Sequence, residues 1–341
     1  QEYVVKRARI DSFAKEEQSC AESCLAAIGE VYLLERCAGH PHIVTLCDVF
    51  CPRDDLGLAL VLECWGADLE TFLPNQPWEA SLADEDPSGH EPSLIRNIAS
   101  QLLRALDFLH TDLHIIHGDV KPRNCLVKTT GQEAIVHLKL CDLSTAMSSD
   151  AVHRTVVPNS AICTMMSNEE WTLPYRSPEI VFGDRSFSTK IDLWPVGVMM
   201  ARFGGDEFTL NKPPATEPIW ALWFRKLGSP TVEDRFSLRP MPDYPGMMEA
   251  YDFGPLSPWF PATRRRLGKW GEFLAQRLLS YRADKRPTAA EALASSYFVP
   301  HRLSLVQVDE CGDMLESRHS AFSGIRHQWN LLEGNLAPEV L

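Results

Sequence analysis

The chain lacks any apolar run near the roughly 18 residues a helix needs to cross a bilayer, so neither a membrane span nor a membrane partner is expected. It is short of positive charge: 33 Lys and Arg stand against 46 Asp and Glu, a formal net charge of −13. A surface of that average sign repels a nucleic-acid backbone, so DNA or RNA is not expected as a partner. A local basic run, TRRRLGKW at 263–270, reads as a solvated helix face. Metal-ligand spacing is missing from the ten cysteines: Cys20 and Cys24 are followed by no second Cys or His pair at a zinc-like interval. Cys47, Cys64 and Cys141 sit in apolar stretches, as reduced core cysteines do. Neither a signal or transit segment nor an internal repeat is legible, and the expected location is cytoplasmic or nuclear or both. An initiator Met is also missing: the sequence opens at Gln1 and reads as a piece of a longer protein.

What is present is a globular composition, 45% hydrophobic and 23% charged, with core enough for one large domain or two lobes. EYVVKRARI at 2–10 is rich in β-branched residues and reads as a strand. Leu25, Ile28, Val31 and Leu34 give 22–38 helical spacing, ending near Gly39. HIVTLCDVF and LGLALVLEC read as two further strands. The Pro- and acid-rich stretch 74–93 reads as a surface insert, and 94–110 as an amphipathic helix. IVHLKLCD at 135–142 reads as a strand ending in an Asp, and 145–170 as a long mobile loop. Helices dominate after 188. The outline is a small strand-rich part followed by a larger helical part.

Chemistry concentrates in two places. IIHGDVKPRNCL at 115–126 brings Asp119, Lys121 and Asn124 within six residues, a polar loop on an apolar approach. The strand at 135–142 delivers Asp142 at its end. Standing alone, the first could be a polar turn and the second a surface Asp.

In order along the chain, YVVK, GEVYLLERCAGHPHIV, VLECWGADLETFL, HGDVKPRN, LCDLSTA and WTLPYRSPEIVFG resemble the motifs of the eukaryotic protein kinase family, over about residues 2–299. The resemblance implies an α+β, two-lobed fold: a partial, β-rich N-lobe at 1–64, a helical C-lobe at 65–300 and a tail of unknown role at 301–341. It implies ATP and Mg as cofactors and Ser or Thr hydroxyls of proteins as substrates. Lys6 matches the strand lysine that meets the α- and β-phosphates, as a compact charge on a long stem suits. Glu30 matches its helical partner. Leu62 falls at the gatekeeper position, the backbone of Glu63 and Trp65 at the adenine edge, Asp68 near the ribose and Leu126 beneath the base. Asp119 matches the group that takes the proton of the attacking hydroxyl, and Lys121 the one that neutralises the transferring phosphoryl group. Asn124 and Asp142 match the metal ligands, hard oxygen donors suited to magnesium. Thr172, Glu179, Asp192 and Arg286 match structural positions, with Glu179 expected to pair with Arg286 and Asp192 to brace the catalytic loop.

Three departures stand out. Gly118 replaces an Arg that usually ties the loop to a phosphorylated activation segment, so that route of activation, with Ser167 at the usual phosphosite, is not expected. Leu143 and Ser144 replace Phe and Gly after Asp142, and Ser resists backbone conformations that Gly allows. The Gly-rich loop that covers the phosphates is not within the sequence.

TLPYRSPEIVFG and KLGSPTVEDRF resemble the cyclin-dependent and MAP-kinase-like branch. Arg176 goes there with a preference for Pro after the target residue, while Trp171, in place of a small residue, works against it. No familiar cyclin-binding motif is legible at 20–30, so a cyclin-type activator is not expected. Two other readings compete. A catalytically weak scaffold is favoured by Gly118, Ser144 and the missing loop, and opposed by Lys6, Glu30, Asp119, Lys121, Asn124 and Asp142. A small-molecule phosphotransferase shares HGD but generally lacks the Lys121 position and the SPE segment. An upstream extension bearing a Gly-rich loop is expected to tighten ATP binding; equal affinities of the two proteins in a titration would refute this.

Overall fold

The structure, a computed structural model, describes residues 2–9, 17–52, 57–72, 94–130, 135–149, 173–205, 218–246 and 261–299. The stretches 74–93 and 150–172, which include Ser167, Trp171 and Thr172, and the tail from 300 onward lie outside the described residues.

Three antiparallel strands, β1 (Tyr3–Arg9), β2 (Leu46–Phe50) and β3 (Gly57–Glu63), form the first sheet in the order β1–β3–β2. The central strand is the apolar one, with Ala59 and Leu60 fully buried, and its register sets Lys6 opposite Leu60. Helix α1 (Glu17–Arg36) packs on this sheet, beginning earlier and ending slightly sooner than its periodicity predicts. Ile28 does not face the core as expected: it is 54% exposed. The buried stripe is Ala27, Glu30, Leu34 and Cys37, and a charged residue sits in it because an ammonium from the sheet meets it there.

After β4 (Ala67–Asp68) and the single turn α2 (Leu69–Phe72) comes α3 (Leu94–Asp107). The expected amphipathic helix is observed, burying Ile95, Ile98, Leu102 and Leu106. It also buries Gln101, whose side chain donates to Val136 O and accepts from Leu138 N, both at 2.8 Å. Those are backbone groups on the outer edge of β7 (Ile135–Leu140), which a sheet edge would otherwise leave unpaired. The chain then runs through β5 (Ile115–Ile116) and β6 (Cys125–Thr130), with β6 between β4 and β7, while β5 pairs with β8 (Met147–Ser148). This pairing sets two loops side by side: 117–124, from β5 to β6, and 141–146, from β7 to β8. The pairing of β8 falls at the start of the stretch whose sequence shows no pattern.

The helical part comprises α4 (Pro178–Val181), α5 (Leu193–Phe203), α6 (Ile219–Leu227), α7 (Val232–Leu238), α8 (Pro261–Leu278) and α9 (Ala289–Leu293), with α8 broken at Gly268. Helix α5, LWPVGVMMARF, is apolar on all sides, and every residue but Arg202 is buried, as a central helix requires. A side chain at Gly197 would meet Leu278 and Leu279 within 3 Å, so glycine lets α8 approach α5 closely. The basic run at 263–270 lies on α8 with Arg264 and Arg265 exposed.

Arg286 is 1% exposed and every N–H is used. It donates to both oxygens of Glu179 (2.5 and 2.6 Å) and to the carbonyls of Ser280, Lys190 and Tyr281, and lies over Trp194 at 5.2 Å. Removing one partner of such a pair strands a buried charge. Arg286→Ala is expected to lower unfolding stability by about 3–5 kcal/mol in urea denaturation.

Candidate active site

Strand β1 points Lys6 across to α1 and to the end of β7. Its Nζ donates to both oxygens of Glu30 (2.6 and 2.9 Å) and to Asp142 Oδ1 (2.6 Å). Three residues from three elements thus meet on one ammonium. Burial works against charge on all of them. It lowers the Lys6 pKa, but Asp142 and Glu30 outweigh this and hold it above its ordinary value. Burial would raise the Asp142 carboxyl, yet Lys6 and then Ser144 draw it down to about 2. Glu30, the more deeply buried acid, stays above the ordinary carboxylate range because its desolvation exceeds the pull of Lys6.

The 117–124 loop is folded around Asp192, which is 1% exposed at the start of α5. Asp192 accepts the N–H of His117 (2.8 Å) and of Gly118 (2.9 Å), and its Oδ2 lies 2.8 Å from His110 Nε2. These bonds hold the backbone of residues 117 and 118 against the start of α5. Burial opposes the charge of Asp192, but these donors keep its pKa below the ordinary value. The turn needs φ = +79° at Gly118, the region an L side chain resists. Glycine at 118 thus has a local cause, separate from the ion pair it cannot make.

His117, fully buried, ties the two loops together. Its Nδ1 accepts the N–H of Asp119 (3.2 Å), its Nε2 lies 3.2 Å from Cys141 O, and its carbonyl accepts Thr145 Oγ1 (3.0 Å). The N–H of Cys141 donates to Asn124 O at 2.9 Å. Asp119 and Asp142, 23 positions apart, are held on adjoining loops by these bonds.

Asp119 Oδ2 lies 2.7 Å from Lys121 Nζ and accepts Asn124 Nδ2 at 3.1 Å. Asn124 Nδ2 also donates to Asp119 O at 2.8 Å. Arg176 is buried against the same loop, donating to Gly118 O (2.7 Å), with Nη2 3.5 Å from Asp119 Oδ1. A guanidinium from the far end of the activation segment thus rests on the loop whose own Arg position is Gly118.

At the hinge, Leu62 is buried and Leu126 half-buried on β6. The Glu63 N–H is given to Thr45 O (3.1 Å), which leaves its carbonyl as the backbone group for the expected adenine-edge contact. The Glu63 carboxylate accepts Thr45 N (2.7 Å) and Lys139 Nζ (2.5 Å). Lys139 lies 4.4 Å from the centre of the Trp65 ring, and the Trp65 indole donates to His137 O (3.2 Å). Asp68 caps α2, accepting Thr71 N (3.0 Å) and Thr71 Oγ1 (2.9 Å). Ser144 takes no positive φ, so it imposes no strain in this conformation. Thr172 lies outside the described residues.

Several contacts have no counterpart among the sequence motifs: His117 as the link between loops, Lys139 on the hinge, and Arg202. The last pairs bidentately with Glu70 (2.6 and 2.7 Å) and donates to Tyr175 Oη (2.6 Å), joining α2, α5 and the activation segment. The sequence signal for His117 is its place in HGD; Lys139 and Arg202 carry none.

A divalent metal with one or two protein oxygens and phosphate ligands fits this donor set. Among the described residues, Asn124 uses its amide nitrogen toward Asp119, leaving Oδ1, and Asp142 uses Oδ1, leaving Oδ2. Among the described residues no cluster of three His, Cys, Asp or Glu offers a self-sufficient metal cage.

The family described as the protein kinase domain matches residues 1–298, and the chain belongs to it. The chain is also similar to the crystal structure of the yeast RNA Pol II CTD kinase CTDK-1 complex, with 22% identity over 87% of this chain and 85% of that one, at a TM-score of 0.60. That likeness is one of fold, and it agrees with a small sheet-bearing lobe followed by a helical one.

Gly118→Ala is expected to cost about 1–2 kcal/mol of stability by forcing Cβ into the left-handed region. Gly118→Asn, which tolerates that region better, is expected to cost less; equal losses in urea denaturation would contradict the backbone explanation.

Proposed function

We propose that the protein is a serine/threonine protein kinase of the cyclin-dependent and MAP-kinase-like branch, transferring the γ-phosphoryl group of ATP to a protein hydroxyl with magnesium. The observation that carries this reading is the convergence of Glu30 and Asp142 on Lys6 Nζ, each at 2.6 Å, with Asp142 held beside the Asp119 loop. Lys6, fixed by Glu30, presents a charge to phosphate oxygens. Asp119 accepts the proton of the incoming hydroxyl and orients it. Lys121, already 2.7 Å from Asp119, sets a second positive charge beside the reacting centre. Asn124 Oδ1 and Asp142 Oδ2 would hold the metal. When bound, magnesium neutralises phosphate charge and aligns the triphosphate. The protein's contribution is positioning and charge placed in advance.

Gly118 and Ser144 remove none of these groups. A basic side chain at 176 is consistent with Pro-directed recognition, and the buried Arg176–loop contacts supply an anchor for the activation segment without a phosphate. The structurally similar CTD kinase is itself a complex, and a regulatory partner is compatible with this reading.

With magnesium, radiolabelled ATP and generic protein acceptors, the wild-type protein is expected to transfer phosphate, and Asp119→Asn to lower kcat by about 10²–10⁴-fold. Equal rates for the two proteins would overturn the assignment.

A further inference from the structure

The two oxygens of Asp142 have unequal surroundings. Oδ1 accepts Lys6 Nζ at 2.6 Å and Ser144 Oγ at 2.7 Å, with the Ser144 N–H a distant third at 3.4 Å. A carboxylate oxygen offers two lone pairs, so the ammonium and the hydroxyl fill Oδ1. No donor among the described residues reaches Oδ2. Asn124 repeats the pattern, with its nitrogen spent on Asp119 and its oxygen left over.

We propose that the Ser144 hydroxyl is a positioning group for the metal: by holding Asp142 Oδ1 it turns Oδ2 toward a magnesium–nucleotide. This rests on the kinase reading above. A glycine at 144 has no hydroxyl to give, and the backbone N–H is too far to hold the carboxylate well. Without Ser144, Lys6 alone would hold Oδ1, and a single accepted bond does not fix rotation about the Cβ–Cγ axis. The side chain is exposed, so its truncation opens no core. Partners that orient a metal ligand typically change metal affinity by about 10–100-fold.

The test is Mn²⁺ binding followed by electron paramagnetic resonance, with a non-hydrolysable ATP analogue. Ser144→Ala is expected to weaken Mn²⁺ binding by about tenfold, while metal-free analogue binding and the melting temperature stay at wild-type values. Ser144→Thr, which keeps the hydroxyl, is expected to restore the wild-type affinity. Ser144→Ala binding Mn²⁺ within about twofold of wild type would overturn the positioning role, as would a loss that Ser144→Thr does not rescue. Asp142→Asn separates the two levels. If it abolishes Mn²⁺ binding while Ser144→Ala does not change it, only the positioning role fails. If Asp142→Asn binds Mn²⁺ like wild type, or if wild type itself gives no Mn²⁺–nucleotide signal, the metal site of the kinase reading fails and the positioning role with it.

Discussion

The active-site loop takes its shape from one buried anion. Asp192, at the start of a helix buried nearly all round, gathers the N–H groups of His117 and Gly118 and the ring of His110. A carboxylate so placed is costly to desolvate and is tolerable only with its donors in place. That requirement bends the chain at Gly118 into the left-handed region and sends Asp119 off in a fixed direction. The helix behind it is buried nearly all round, so the anion cannot move to suit the loop; the loop conforms to the anion.

From that fixed point the other parts follow by short connections. His117 hands the geometry to the end of β7 through Cys141, and Asp142 comes next in the chain. Asp142 in turn receives Lys6 from the first sheet, which Glu30 shares. Arg176 and the Glu179–Arg286 pair fasten the chain beyond the activation segment to the same body. Each link joins residues distant in sequence through groups that are largely buried, where a broken pair is expensive. The chemistry proposed for the site, charge placed before the substrate arrives, needs this kind of rigidity.

Much of this was readable along the chain because the informative residues cluster. Asp119, Lys121 and Asn124 fall within six positions, and a strand pattern ends on Asp142, so both loops were visible before folding. What escaped depends on side chains that meet across long separations. Periodicity placed Ile28 in the core of α1, but the helix turns Glu30 inward because Lys6 awaits it; apolar spacing cannot register an ammonium on another element. Arg202 and Glu70 are 132 positions apart, and neither stretch announces the other. Gly118 read as the loss of an ion pair, whereas the backbone gives it a reason of its own. The bond that occupies the Glu63 N–H comes from Thr45, 18 positions away, and no motif announces it.

Lys139 sits on β7, three residues before Asp142 in the chain, clasped between the Glu63 carboxylate and the face of Trp65. The strand therefore meets the Glu63 carboxylate close to its end, and the chain reaches the proposed metal ligand two residues after it. The side chain that anchors the Glu63 carboxylate and the acid proposed to meet the metal thus belong to one short stretch of backbone, and a change at either is felt four residues wide.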